Sequence, residues 1–210
     1  MKVISADFVT SAAAGGTSTG IPRDGLTQVA MTGRSNVGKS TLINALARRP
    51  IARTSAAPGK TRLANVYRLT VEGQGPGRWG LYLVDLPGYG YARGGGSAAE
   101  ELRAVAETYF RESASGVPLL LIDSRHPGLE SDVQAHAWLV TLGAEPLIVA
   151  TKVDKLSRAG RTRSLRELER NFGKPALAVS AERGEGMDEL WKTIASKARA
   201  AERSRKAADE

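Results

Sequence analysis

Eight residues, Gly33-Arg34-Ser35-Asn36-Val37-Gly38-Lys39-Ser40, constrain this chain more than any other stretch. They stand between an apolar run, Gln28-Val29-Ala30-Met31-Thr32, and a helical pattern, Thr41-Leu42-Ile43-Asn44-Ala45-Leu46. Two Gly, a Lys and a Ser or Thr at these offsets arise by chance in roughly one chain of this length in a hundred. Strand, glycine loop and helix in succession are the context in which such a loop holds phosphate. Gly33 and Gly38 let the backbone turn and approach a ligand closely. Amides of the loop and of the helix start at Thr41 then face phosphate oxygens, helped by the helix dipole. Lys39 is placed to neutralise β- and γ-phosphates, and the Ser40 hydroxyl to ligate Mg²⁺.

A chain of 210 residues suits one domain with a single large core. Cysteine is absent, which excludes disulfides and thiolate metal sites and fits a reducing cytoplasm. No apolar run reaches transmembrane length, and the N-terminus does not read as a signal peptide. The net charge is +8, unevenly placed: from Gly25 to Val71 there is no Asp or Glu, but there are Arg34, Lys39, Arg48, Arg49, Arg53, Lys60, Arg62 and Arg68. That part of the surface should attract polyanions.

In chain order, 3–9 reads as a strand, followed by a loose Ala/Gly/Ser/Thr segment from Ser11 to Gly20. Residues 27–32 are a strand and 39–47 a helix that must end by Arg49, because Pro50 disfavours helical geometry before it. An irregular loop over 50–61 leads to a hairpin of strands near 62–71 and 79–85. A glycine-rich loop to Ser97 precedes an amphipathic helix over 98–113. Strands at 117–122, 146–150 and 175–179 then alternate with helices at 131–142, 162–172 and from 188 onward. The expected fold is α/β with three layers: a mostly parallel sheet with one antiparallel strand, covered by helices on both faces. Residues 1–26 form an N-terminal strand and segment packed on a nucleotide-binding domain over 27–200, with a fraying tail over 201–210.

Further motifs fall at strand ends. Asp85-Leu86-Pro87-Gly88 closes the 79–85 strand, where Asp85 can hold Mg²⁺ through water and Gly88 can offer an amide to a γ-phosphate. An isolated Asp-x-x-Gly is more often a turn, but this one follows a phosphate loop, a long loop and a hairpin. Thr61 ends the irregular loop after Gly59 and Lys60 and is positioned as a second Mg²⁺ ligand, present only while a γ-phosphate is bound. Thr151-Lys152-Val153-Asp154 sets the base. Asp154 can accept from N1–H and the exocyclic amine of guanine. Adenine would leave it desolvated and unpaired, at about 2 kcal/mol or more. The stem of Lys152 can cover the base plane, Ser180-Ala181-Glu182, after the last strand, would place backbone amides near the guanine O6, and Val179 joins the nucleotide-binding set.

With these residues in hand, the chain resembles the EngB family of bacterial GTPases, of the phosphate-loop TRAFAC class. The stretches that carry the likeness are GRSNVGKSTLINAL at 33–46, ARTSAAPGKT at 52–61, LYLVDLPGYGYA at 81–92, LLLIDSRHPG at 119–128 and TKVDKLS at 151–157. The resemblance implies a P-loop NTPase fold, binding of GTP and GDP, cytoplasmic action as a monomer in large (50S) ribosomal subunit assembly, and a need for the protein in cell division. Where Ras-type enzymes have a Gln after Asp-x-x-Gly, this chain has Tyr89, so unaided hydrolysis should be slow. In related GTPases an Asn at the place of Asn36 helps hold a K⁺ that stands in for an arginine finger. The resemblance thus adds Asn36 to Lys39 and Thr61 as catalytic groups.

Thr151 replaces the more general Asn of the guanine motif, and Gly94-Gly95-Gly96 stands where relatives carry a charged helix start. The acid-free segment and the run Lys155, Arg158, Arg161, Arg163, Arg166, Arg170, Lys174 are candidate contacts to ribosomal RNA. His126 and His136 are too isolated to suggest a metal site or general base. Two readings stay open: a GTP-hydrolysing assembly factor, or a GTP/GDP-responsive binding module in cell division with negligible chemistry. An ATP-dependent kinase is disfavoured by Asp154.

Overall fold

Every residue of the strand Thr27–Gly33 (β2) is buried, and the sheet is laid out around it. The computed structural model describes residues 1–12, 20–53, 63–73, 77–89, 97–112 and 116–208. The remaining strands are β1 (Lys2–Ala12), β3 (Ala64–Glu72), β4 (Arg78–Asp85), β5 (Gly116–Asp123), β6 (Leu147–Thr151) and β7 (Leu177–Ala178). The helices are α1 (Lys39–Ala47), α2 (Ser97–Glu112), α3 (Glu130–Thr141), α4 (Arg158–Phe172) and α5 (Met187–Ala208). The sheet has seven strands in the order β1-β3-β4-β2-β5-β6-β7.

β2 runs parallel to both β4 and β5, as β5 does to β6 and β6 to β7. Among the described strands only β3 is reversed, pairing antiparallel with β4 and with β1. The expected three-layer architecture with one antiparallel strand is therefore what the chain adopts.

Burial explains the layers. The apolar faces of α1 and α5 (Leu42, Ile43, Leu46; Leu190, Trp191, Ile194) close on one side of the sheet over Val29, Met31 and Leu119. On the other side α2 contributes Val105, Ala106 and Tyr109 against Val66, Tyr82 and Val84. α3 and α4 cover Leu120, Ile122 and Ile148 with Ala135, Leu139, Leu168 and Phe172. Both faces of the central strands are apolar because both are covered.

Element boundaries moved where local chemistry intervened. α4 begins at Arg158 rather than 162, since the Ser157 hydroxyl caps it by accepting from the Gly160 amide at 3.2 Å. α1 keeps its expected bounds, Lys39–Ala47, and ends with Arg48 left-handed at φ 52° ahead of Pro50. β1 extends from Lys2 to Ala12 with irregularities at Val3/Ser5 and Phe8/Thr10, and α5 runs on to Ala208 through the stretch read as a tail.

Register sets the site. Met31 lies opposite Asp85, Gly33 opposite Leu121, and Asp123 opposite Thr151. The carboxyl ends of β2, β4, β5 and β6 therefore share one edge, where ligands bind in sheets of this kind. The segment after β7 is drawn to that edge by a two-way backbone bridge: Ser180 N donates to Glu185 O at 2.9 Å, and Glu185 N to Ser180 O at 3.1 Å. Gly186 follows at φ 73°, and a Cβ there would collide with the Ala178 carbonyl. Gly186→Ala is expected to lower unfolding free energy by about 2 kcal/mol or more in urea denaturation, by steric conflict and positive φ together.

Candidate functional site

The phosphate loop is shaped by two left-handed residues, Asn36 at φ 62° and Gly38 at φ 108°. A Cβ at Gly33 would stand 2.8 Å from the Leu121 carbonyl oxygen, so strand β5 enforces glycine at the loop entry. Inside the loop Val37 N donates to Arg34 O at 3.2 Å, and Leu42 N to Gly38 O at 2.9 Å begins α1. No side chain caps α1, and its first turn has no acid. Its leading amides point outward with the positive end of the helix dipole, the arrangement that suits an anion.

Two residues of the 151–154 motif brace this loop. The buried Thr151 Oγ1 lies 2.7 Å from Val37 O, to which it donates, and 3.2 Å from Ile122 O. The hydroxyl that replaces the general Asn is thus spent on the phosphate loop. Lys152, left-handed at φ 59°, sends Nζ to Asn36 O at 2.5 Å and to Asp123 Oδ2 at 3.0 Å. Its stem passes the open side of Gly38, whose Cβ would be 3.8 Å from Lys152 Cε.

Asp123, at the end of β5, accepts from two guanidinium nitrogens of Arg125, Nε at 2.9 Å and Nη2 at 2.7 Å. Burial works to raise its carboxyl, but hydrogen bonds from Arg125 and Lys152 outweigh that and pull it down to about 2. Asp123 therefore stays ionised and keeps Lys152 in place.

Asp85 and Lys39 form a second charged pair beneath the loop. Asp85 is 3% exposed, and its Oδ1 has no hydrogen-bond partner among the described residues. Burial pushes its carboxyl up to about 6 against the pull of Lys39. Lys39 is itself lowered by burial, a shift that Asp85 opposes. A buried carboxylate oxygen lacking a partner beside a half-buried ammonium is what a metal-phosphate unit would satisfy. With the Ser40 hydroxyl, Asp85 supplies hard oxygen donors of the type Mg²⁺ takes. Among the described residues no group of three or more His, Cys, Asp or Glu could hold a metal ion. Gly59, Lys60 and Thr61 lie outside the described residues, as do Gly94, Gly95 and Gly96. Gly88, after Leu86 and Pro87, comes down onto the loop: its Cβ would be 3.1 Å from Lys39 Nζ.

One cleft joins the start of α1 to the 151–154 motif. Gly38, Thr41 and Leu42 line one end, and Thr151, Lys152, Asp154, Val179, Ala181 and Glu182 the other. The Ser180 hydroxyl and Lys155 hold the Asp154 carboxyl below the usual carboxylate range against its desolvation. Among the described residues its buried Oδ2 has no hydrogen-bond partner of good geometry, although Lys155 Nζ stands 3.3 Å away as an ion pair. Val179 N is already given to Ala150 O at 2.8 Å and Ser180 N to Glu185 O. Ala181 is the residue of that stretch whose amide these bonds leave for a base. Val153, between Lys152 and Asp154, is 2% exposed and fixes the turn by packing inward.

Several contributors escaped the sequence. The Tyr89 hydroxyl donates to Asp132 Oδ1 on α3 at 3.0 Å, which turns the phenol away from the loop. Asp132 looks in sequence like an ordinary acid in a first helical turn, yet it is 1% exposed. Asn44 on α1 bonds the Ala52 backbone twice, at 2.9 and 2.7 Å, and so ties the chain beyond Pro50 back onto the helix. Asp123 and Arg125 lay in a run already singled out, but their role as a brace for Lys152 needed the register of β5 and β6.

A family model described as "50S ribosome-binding GTPase" matches residues 28–152. A probable GTP-binding protein EngB from Pelotomaculum thermopropionicum is 41% identical over 202 residues, covering 92% of this chain and 96% of that protein. One of the same description from Solibacter usitatus is 41% identical over 197 residues, covering 92% and 96%. Among solved structures, a probable GTP-binding protein engB aligns at TM-score 0.62 and 23% identity over 82% of this chain and 99% of that one. A point variant of Aquifex aeolicus Era bound to GDP·AlF4⁻ aligns at TM-score 0.70 and 24% identity, over 82% of this chain and 57% of that one. These two structural likenesses bear on the fold alone.

The Thr151 brace is testable. Thr151→Val strands the buried Val37 carbonyl and is expected to lower stability by about 1–2 kcal/mol in urea denaturation. It should also weaken GDP binding severalfold in calorimetric titration.

Proposed function

The chain belongs to the EngB family of GTP-binding proteins, and from that premise we propose that it is a Mg²⁺-dependent GTPase of slow intrinsic turnover. It works in the cytoplasm, as a monomer, as a switch in assembly of the large ribosomal subunit, and it is needed for normal cell division. The observation that carries the nucleotide reading is the buried Oδ2 of Asp154, met only by the Lys155 ammonium at 3.3 Å among the described residues, in a cleft continuous with the uncapped start of α1. A base with two adjacent donors satisfies that oxygen, and a phosphate chain reaches the other end.

In this reading Gly33, Arg34, Ser35, Asn36, Val37, Gly38, Ser40 and Thr41 wrap the phosphates, and Lys39 balances their charge. Mg²⁺, when bound, would neutralise phosphate charge, and Ser40, Thr61 and Asp85, the last through water, would hold it. The Gly88 amide and the 59–61 segment respond to the γ-phosphate, and Lys152 and Ala181 frame the base. Slow turnover follows from Tyr89, whose hydroxyl is engaged by Asp132 rather than directed at an attacking water. Asn36 supplies a K⁺ ligand that offsets the missing stabiliser. The left-handed backbone at Asn36 puts that residue at the crest of the loop, with its carbonyl held by Lys152. The ribosomal partner is supported by the wording of the matching family description and by the +8 charge.

Three outcomes test this reading. Asp154→Asn exchanges a carboxylate for an amide donor, so GTP affinity should fall about 30-fold or more while xanthosine triphosphate gains, measured by competition binding. Turnover in KCl should exceed that in NaCl at equal ionic strength by about tenfold or more, and Asn36→Ala should abolish the difference; equal rates remove the K⁺ role. Single-turnover hydrolysis should accelerate when large-subunit precursors are added, and depletion of the protein should distort the ribosome profile. Hydrolysis absent under both conditions would favour a binding module without chemistry.

A further inference from the structure

Residues 88 and 89 lie directly on the donors that a third phosphate needs. A Cβ at Gly88 would be 3.1 Å from Lys39 Nζ, 3.2 Å from Ser35 N and 3.1 Å from Gly33 O. The Ser35 amide donates to Tyr89 O at 3.3 Å, and Arg34 and Tyr89 form a parallel bridge that extends the edge of β2. An oxygen bonded to Lys39 and Ser35 needs about 2.8 Å from each nitrogen, with its phosphorus and two further oxygens beyond it. Gly88 and the Tyr89 carbonyl fill that space. The start of α1, where the rest of a phosphate chain sits, carries no such cover among the described residues.

What holds this pair down is the side chain of Tyr89. It is half-buried against the α3–α4 side of the core and reaches α3, where its hydroxyl donates to the buried Asp132 Oδ1 at 3.0 Å. Burial, the charge of Asp132 and their hydrogen bond raise the phenol well above its ordinary value, against the pull of Arg34, so it remains a donor. Burial also raises the Asp132 carboxyl, while the Tyr89 bond and Arg34 favour its ionised form. A hydrogen bond between such groups in a dry setting is strong and hard to replace with water.

We propose that Asp132 is a specificity-determining residue for the number of phosphates, acting through Tyr89. The Tyr89–Asp132 hydrogen bond latches residues 88–89 over Lys39 and Ser35, so the resting site takes a nucleoside diphosphate and a triphosphate must first unfasten the latch. This rests on the GTPase reading above. Asp132 is a positioning residue: it touches no nucleotide.

The test is equilibrium titration of the full chain with GDP and with a non-hydrolysable GTP analogue, both in Mg²⁺. Tyr89→Phe removes one oxygen and is expected to raise affinity for the triphosphate analogue about 5- to 20-fold while GDP affinity changes less than about twofold. Asp132→Ala should do the same, Asp132→Asn, which keeps an acceptor oxygen, should stay near wild type, and the double variant Tyr89→Phe/Asp132→Ala should shift no further than either alone. Equal shifts for both nucleotides, no shift, or additive shifts would overturn the latch. Thermal melts monitor folding; should Asp132→Ala fail to fold, Tyr89→Phe decides. A wild-type chain that binds neither nucleotide would overturn the GTPase reading itself, and the latch with it.

Discussion

Lys39 and Asp85 are sunk together at the carboxyl edge of the sheet, and the rest of the architecture answers to that pair. Each is shifted by burial toward its neutral form and each is drawn back by the other. An opposed pair with an unpartnered carboxylate oxygen is an expensive core feature, since apolar residues of like volume would pack there without it. It makes sense as half of a four-charge arrangement completed by a cation and a phosphate. β2 and β4 hold the pair in place through the pairing of Met31 with Asp85, and the Leu86 amide extends that ladder by donating to Met31 O at 3.0 Å.

The loop above the pair carries one internal hydrogen bond, Val37 N to Arg34 O, and is otherwise fixed by its neighbours. Thr151 takes the Val37 carbonyl, Lys152 the Asn36 carbonyl, and Tyr89 the Ser35 amide. Each such bond contributes about 1 kcal/mol, more where a charge takes part. The end of β6, the phosphate loop and the segment after Asp85 are thereby one connected unit.

The sheet and its layers were legible because continuous apolar strands alternating with helices admit few arrangements, and the glycine loop marked where the site must be. Gly33–Ser40 fell between β2 and α1, and the hairpin placed Asp85 beside the loop. What the sequence did not disclose was long-range pairing of ordinary residues. Asp132 reads as a helix-start acid, Thr151 as a substitute that forgoes a bond, and Asn44 as a spacer. Each acquires its role only when the fold brings a distant group within hydrogen-bond reach. Short-range chemistry hid the start of α4, where Ser157 caps a turn that contains Gly160.

In the proposed function a guanine base satisfies Asp154 while its phosphates satisfy Lys39. Isothermal titration of the full chain with GDP and with ADP under identical Mg²⁺ conditions tests it most directly. The account predicts saturable 1:1 binding of GDP and at least about 30-fold weaker binding of ADP, the factor expected for a desolvated, unpaired carboxylate. Equal affinity for the two nucleotides would contradict it.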